Sequence, residues 1–350
     1  MYPALAVFQA LNAKRKDVEI LWVGGEGGME TELVKRMGLS YSSIPAAGLH
    51  GVGLQALPRN LTQLAQGVLA SRKILRDFHP DVLFFTGGYV AGPMALAGRR
   101  IPTLLFVPDI EPGLAIKSLA RFADRIVVSA EDSQKYFDRK VVVTGYPLRA
   151  DLEAWTKDRG RKALKLRKDL PTLLVVGGSK GARSINQSVV QHLPALLKLT
   201  QVVHITGQLD WDTVNSAGAR LTSAQMELYK AYPYLHEEMG AALASADLVI
   251  ARAGASALGE FTFFGLPAVL VPYPHAWRYQ KVNADYLAQR GAAIIVQDEF
   301  LQNDLLRVVT DLLKNPSKRL AMQAAMRSLM RPQAAQVIAE QLLELGGIRK

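Results

Sequence analysis

Short apolar runs rich in β-branched residues alternate along this chain with segments whose apolar positions recur every three or four residues. Val18–Val23, Asp81–Phe85, Thr103–Val107, Arg125–Ser129 and Lys140–Thr144 read as strands, with helices over Met29–Met37 and from Ala91 onward. The pattern pauses at Leu148–Pro171, where the charged run Lys157–Lys162 carries little apolar periodicity and reads as an inter-domain connection. It then restarts with Leu173–Val176, Val202–Ile205, Leu248–Ala251, Ala268–Val271 and Ala293–Val296. Strands that are apolar throughout, separated by helices, predict parallel sheets covered on both faces. The expected architecture is α/β, two Rossmann-like lobes with a cleft between them. The lobes span residues 1–148 and 149–320, and helices over 321–350 cross back to the first lobe.

The beginning of the chain departs from this scheme. Met1–Val7 opens directly as a helix, with Pro3 in the first turn, where it is tolerated. A Rossmann-like lobe starts with a strand that lies in the middle of its sheet. The expectation is therefore an N-terminal lobe lacking its first strand, in a truncated chain.

Composition narrows the function classes. At 350 residues, two hydrophobic cores are more natural than one. With no cysteine, disulfides and thiolate metal sites are ruled out. No apolar run approaches the ~18 residues that a spanning helix needs. The formal net charge of +11 fits nucleic acid, an anionic membrane surface or anionic substrates. Basic residues are dispersed along helices, as in Arg72, Lys73 and Arg76, without the basic-aromatic interleaving of nucleic-acid binders. Nucleic acid is excluded on that ground, and a membrane surface stays open.

In parallel α/β sheets the loops beyond the carboxyl ends of the strands carry the chemistry. The sharpest is Gly177-Gly178-Ser179-Lys180-Gly181-Ala182-Arg183. Glycines there admit close backbone approach, and a helix N-terminus offers free amides to a diphosphate. Ser179 adds a hydroxyl, and Lys180 or Arg183 a charge. A glycine turn serving only tight packing is the competing reading, because the pattern is neither a dinucleotide fingerprint nor a Walker loop. Arg252-Ala253-Gly254-Ala255-Ser256-Ala257-Leu258-Gly259-Glu260 repeats the arrangement. Glu260 either accepts from ribose hydroxyls or merely compensates a helix dipole. His275 through Ala284 adds imidazole and amide groups suited to sugar hydroxyls or to ordinary structural bonds. Asp210-Trp211-Asp212 has the form of a carboxylate metal pair but sits where Asp commonly caps a helix, and no histidine has ligand spacing. No metal and no cofactor are expected.

In order and spacing these loops resemble the MurG family, glycosyltransferase family 28, over nearly the whole chain. Tyr2–Val7, Gly87-Gly88-Tyr89-Val90-Ala91-Gly92-Pro93, Gly145-Tyr146-Pro147-Leu148-Arg149, Gly177–Asn186, Arg252–Glu260, Gly265-Leu266-Pro267 and His275…Gln280…Asn283-Ala284 carry the resemblance. It implies the GT-B fold and metal-independent, inverting transfer of N-acetylglucosamine from UDP-N-acetylglucosamine. The implied acceptor is undecaprenyl-pyrophosphoryl-N-acetylmuramoyl-pentapeptide, met by the first lobe at Gly87, Gly88 and Tyr89. Carried over by position, Arg149 and Ser179 meet the diphosphate and the backbone at His236 reads uracil. Ala255, Ser256, Ala257, Leu258, Gly259 and Glu260 line the site, with Glu260 on the ribose, and Gln280 holds the sugar.

Three departures from the family pattern stand out. A glycine-rich loop with a histidine proposed as base would precede residue 1, which leaves Asp109 as the catalytic candidate in this sequence. The family's two asparagines near the sugar correspond to Asp109 and Ile116, and that of its G-N-P stretch to Tyr146. These changes put acceptor identity in question more than donor class. Transfer to another lipid such as diacylglycerol, a silent UDP-sugar binder, and an epimerase of similar shape are the alternatives. Leu54, Leu57, Leu61, Leu64 and Val68, with Arg59, Arg72, Lys73 and Arg76 nearby, form either a core-facing helix or one that docks on anionic lipid. The resemblance favours peripheral attachment at the cytoplasmic face of the membrane.

Overall fold

The computed structural model describes residues 1–28, 31–46, 57–178, 181–275 and 279–347, without the side chains of residues 33, 57–59 and 61. Contacts divide the chain into two units: residues 1–108, 112–147 and 333–350 form the first, and residues 109–111 and 148–332 the second.

The first unit contains α1 (Tyr2–Lys14), β1 (Leu21–Gly25), α2 (Thr31–Arg36), β2 (Ser40–Ile44), α3 (Leu57–Phe78), β3 (Leu83–Phe85), α4 (Ala91–Ala97), β4 (Thr103–Val107), α5 (Leu114–Leu119), β5 (Arg125–Val128) and β6 (Val142–Val143). β3–β4–β5–β6 form one parallel sheet and β1–β2 another. Successive side chains of a strand point to opposite faces. Leu104, Phe106 and Val127 accordingly pack with Ala6, Val7 and Leu11 of α1, whereas Leu105, Val107, Ile126 and Val128 pack with Met94 and Leu119. Among the described residues no strand joins the two sheets. Leu21, Trp22 and Val23 of β1 and Leu83, Phe84 and Phe85 of β3 instead line a cavity of about 660 Å³.

The second unit contains α6 (Ala150–Glu153), α7 (Lys157–Ala163), β7 (Thr172–Val176), α8 (Arg183–Leu196), β8 (Gln201–Ile205), α9 (Trp211–Gly218), α10 (Ser223–Leu228), β9 (Tyr229–Tyr232), α11 (Met239–Ser245), β10 (Leu248–Ala251), α12 (Ala257–Phe264), β11 (Ala268–Leu270), α13 (Tyr279–Gln289), β12 (Ala293–Ile295), α14 (Leu301–Lys314) and α15 (Pro316–Ser328). Its sheet is wholly parallel, in the order β12–β11–β10–β7–β8–β9. The core on one face joins Leu173, Val175, Leu248 and Ile250 to Ile185, Val189 and Leu193 of α8 and to Leu305, Val309 and Leu312 of α14. The last helix, α16 (Ala334–Leu345), returns to the first unit, where Ile338, Ala339 and Leu342 complete the core around Phe106.

Three sequence expectations need correction. Residues 148–171 are not a loose connection. Thr156 caps α7 by accepting from the Arg159 amide, and Gly160 lets α7 approach the backbone of α11. Arg161, in the middle of the charged run, is buried and donates to the carbonyls of Lys168 (2.9 Å) and Leu170 (3.2 Å) and to Asp247 (3.1 Å). Next, α15 stays with the second unit, so the final boundary lies at 332 rather than 320. Lastly, β2 and β9 were not expected, because Ser40-Tyr41-Ser42-Ser43 and Tyr229-Lys230 lack the apolar run of a central strand; both occupy sheet edges.

A Cβ at Gly160 would lie 2.4 Å from the carbonyl oxygen of Ala241. Gly160→Val is expected to lower the urea unfolding free energy by about 1–3 kcal/mol through overpacking. Gly92→Ala, at a helix position with open space around it, is expected to be neutral or slightly stabilising.

Candidate functional site

Covering the second unit's sheet on both faces leaves the loops at the carboxyl ends of its strands to meet a ligand. β7 ends at Val176 and runs into Gly177 and Gly178. A Cβ at Gly177 would lie 2.4 Å from the Ala182 amide nitrogen, and one at Gly181 equally close to the Thr206 carbonyl. Gly178 and Gly181 also adopt φ of +85° and +83°, which disfavours side chains. The packing reading of these glycines therefore holds, and it does not compete with the anion reading, because tight packing is what brings the start of α8 to this edge. Ala182 supplies no side-chain cap to α8. Ser179 and Lys180 lie outside the described residues.

The first turn of α8 is fastened on two sides. Arg183 donates to Asp210 (3.1 Å), and Asn186 donates to the Thr206 carbonyl (2.8 Å) and to Asp210 (2.9 Å). Asp210 stands at the start of α9 but makes no capping bond there, so the capping role expected of it is replaced by an ion pair and a buried amide. Asn186 continues inward to His204 (3.0 Å), whose other ring nitrogen meets the Tyr229 hydroxyl (2.9 Å). Burial pushes the His204 imidazole down to about 3, so it is neutral. A histidine in the middle of an apolar strand was the available signal for this network, which sequence reasoning missed.

The loop after β10 leads into α12. Ala257, Leu258 and Gly259 are buried, while Ala255, Ser256 and Glu260 are partly accessible. Burial pushes the Glu260 carboxyl up to about 7, against the opposing pull of a Ser256 hydrogen bond and the nearby Arg149 guanidinium. Arg149 sits at the N-terminus of α6 and also pairs with Asp151 (3.4 Å). The structure thus brings together Arg149, Ser256 and Glu260, a cation and a hydrogen-bonding pair at one sheet edge.

A second group forms around Asn283 on α13. Its amide nitrogen donates to Asp109 (2.8 Å) and to the Ala253 carbonyl (3.1 Å), and its oxygen accepts from the Ile110 amide (3.0 Å). Asn283 is fully buried. Burial raises the Asp109 carboxyl above its ordinary range, and the Asn283 bond partly offsets the rise. Sequence reasoning singled out Asp109 and counted Asn283 within a family motif, without linking the two. One turn earlier, Gln280 accepts at its side-chain oxygen from the Tyr273 amide (2.9 Å). His236 is exposed, its ring edge-on to Tyr234 at 4.7 Å. Gly87, Gly88 and Tyr89 belong to the first unit, with Tyr89 65% exposed and Gly87 close against Ile116. Among the described residues no three His, Asp or Glu side chains gather as metal ligands.

Two family descriptions match this chain: the glycosyltransferase family 28 N-terminal domain over residues 1–128 and the family 28 C-terminal domain over residues 172–342. The chain belongs to glycosyltransferase family 28. The family 28 assignment agrees with its relatives. A protein of Roseiflexus sp. (strain RS-1), named UDP-N-acetylglucosamine--N-acetylmuramyl-(pentapeptide) pyrophosphoryl-undecaprenol N-acetylglucosamine transferase, is 38% identical, covering 100% of this chain and 93% of its own. The crystal structure of Acinetobacter baumannii MurG superposes with a TM-score of 0.76 at 27% identity, over 98% of this chain and 95% of that one. A UDP-GlcNAc 2-epimerase from Neisseria meningitidis shares the fold alone, with a TM-score of 0.66 at 14% identity over 98% and 97% of the two chains.

The raised Glu260 value has a consequence for stability. Between about pH 4.5 and 7 the folded state keeps a proton that the unfolded chain releases, so this group's contribution to stability falls as pH rises through that window. Urea midpoints of the unliganded protein at pH 5 and 7.5 are expected to show this loss, at most about 3 kcal/mol, and Glu260→Gln to remove it.

Proposed function

We propose that this family 28 member transfers N-acetylglucosamine from UDP-N-acetylglucosamine to lipid-linked N-acetylmuramoyl-pentapeptide, converting the monosaccharide-bearing lipid to the disaccharide-bearing one used in peptidoglycan synthesis. Full-length similarity to proteins named for this reaction is the observation that carries the proposal. The second unit's chemistry suits the donor. Amides at the start of α8 and the Arg149 guanidinium offset the diphosphate charge that grows as UDP departs, so no cation is needed. Glu260, held between Ser256 and Arg149, accepts from ribose hydroxyls. The residues from Ala255 onward lie against the nucleoside, the backbone at His236 reads the uracil, and Ser179 adds a hydroxyl to the diphosphate. Gln280, its oxygen occupied by the Tyr273 amide, donates to an oxygen of the sugar. Gly87, Gly88 and Tyr89 face the acceptor.

In the transfer, the acceptor hydroxyl oxygen bonds to the anomeric carbon from the face opposite UDP. The bond from that carbon to the β-phosphate oxygen breaks, and the hydroxyl proton passes to a base. Asp109 is the candidate: its raised affinity for a proton is what a base working near neutral pH needs, and Asn283 fixes one of its oxygens. UDP release is the measurement. Lipid-linked muramoyl-pentapeptide is expected to stimulate release at least a hundredfold more than diacylglycerol does, and a chelator is expected to leave the rate unchanged. Asp109→Asn is expected to lower kcat 10²- to 10⁴-fold with little change in donor KM. If diacylglycerol is the better acceptor, the acceptor assignment is wrong. If Asp109→Asn is fully active, the base lies elsewhere.

Peripheral attachment to the anionic cytoplasmic face of the membrane accompanies this reading. No helix among the described residues is long and apolar enough to cross a membrane. On α3, Gly67 and Ser71 face inward and Leu64 and Val68 are half-buried, whereas Leu69 is 63% exposed beside exposed Arg72, Lys73 and Arg76. Leu54 and the side chains of Leu57, Arg59 and Leu61 lie outside the described residues. Co-sedimentation with anionic vesicles at low salt is expected, with loss at high salt and several-fold weakening by Leu69→Ser with Lys73→Ser. Equal binding to neutral vesicles would remove the electrostatic part of this reading.

A further inference from the structure

Arg252 stands immediately beyond β10, with its side chain only 12% exposed, and the function proposed above gives it no task. Its guanidinium spends its donors on three separate elements. One nitrogen bonds the Val271 carbonyl at the end of β11 (3.0 Å) and pairs with Asp298, and another donates to the Ser184 hydroxyl on α8 (2.8 Å). Ser184 in turn donates to Asp298 (2.7 Å), which closes a ring of three polar side chains. The guanidinium carbon lies over the Tyr273 ring, 5.2 Å from its centroid. Tyr273 is 44% exposed, and its backbone amide holds the oxygen of Gln280.

These contacts run in a particular order. α8 is already fixed from its other side by Asn186 and Arg183 on Asp210 and by the His204–Tyr229 pair behind them. Arg252 therefore has a rigid element at one end. At its other end is Tyr273, whose backbone amide holds the side-chain oxygen of Gln280. A planar fork with a stacking face can hold a helix, a carboxylate, a carbonyl and an aromatic ring at once; an ammonium cannot.

We propose that Arg252 is a positioning residue, anchoring Tyr273, and through the Tyr273 amide the Gln280 side chain, to the start of α8 through Ser184, Asp298 and the Tyr273 ring, and thereby setting selectivity for the donor's sugar without touching it. This rests on the donor-site reading given above. A displacement near 1 Å at a group that orients a substrate costs up to about a hundredfold, so loosening the anchor acts on the sugar while leaving the nucleotide's own contacts in place.

The test uses the full chain and three ligands: UDP, UDP-N-acetylglucosamine and UDP-glucose. With Arg252→Lys, the affinity for UDP by calorimetry is expected to stay within about threefold of the parent. Preference for UDP-N-acetylglucosamine over UDP-glucose, as the ratio of binding constants and of kcat/KM, is expected to fall about tenfold. Tyr273→Ala, at an exposed side chain, is expected to shift the same ratio in the same direction. If both variants keep the parent's sugar preference, or if Arg252→Lys weakens UDP and both sugar nucleotides by one common factor, the positioning role is overturned. Failure of the parent protein to bind UDP at all overturns the donor-site reading instead, so the two failures are distinguishable.

Discussion

Every strand of the second unit runs in one direction, and both faces of the sheet are covered by helices, so the peptide groups of its inner strands reach the surface only beyond the strand ends. That constraint gathers the strand-to-helix loops at one edge. It also dictates how they are held. The start of α8 depends on glycine at 177 and 181 because neighbouring backbone comes within 2.4 Å of where a side chain would begin. Once helix and sheet are that close, no room remains for flexible linkers, and the loops are fastened by polar side chains reaching across short distances.

Those fasteners are buried, which makes their chemistry demanding. An unsatisfied polar group in such a place costs a few kcal/mol, and the row from Tyr229 through His204, Asn186 and Asp210 to Arg183 avoids that cost because each member meets the next. His204 takes part as a neutral ring, so the row holds a single ion pair at its solvent end, where the Arg183 side chain is largely exposed. The Arg252 ring is built differently, with its cation and carboxylate both mostly enclosed. It tolerates this because the guanidinium also meets a carbonyl and a hydroxyl.

Legibility from the sequence followed the same physics. β4 and β10 were readable to the residue, because strands buried on both faces must be apolar throughout. The edge strands β2 and β9 were not, since a strand with one open side can carry Ser, Tyr and Lys. The run from Lys157 to Lys162 misled because charge suggested solvent, and only the fold shows that Arg161 turns inward to satisfy carbonyls that precede β7. At the candidate site, glycine loops and Glu260 announced themselves through residue type and spacing. Asn283 and Arg252 stood inside the quoted motifs, but what they touch was not legible: Asp109, Ala253, Ser184 and Asp298 are far from them in sequence, and no local pattern encodes such meetings.

The two units also differ in how the chain is laid through them. Apart from residues 109–111, the second is continuous from 148 to 332 and can assemble as soon as that stretch exists. The first is not continuous: the face of β4 that carries Leu104 and Phe106 is closed partly by α1 and partly by α16, which is made after the whole second unit. During synthesis that apolar face stays half-covered while the whole second unit emerges, which takes on the order of ten seconds or more at about 5–20 residues per second. The order of events on the ribosome is therefore inverted relative to the order of the sequence, with the unit begun first finished last. Whatever shields an unfinished sheet from other chains in that interval is a requirement of this fold as real as any hydrogen bond in it.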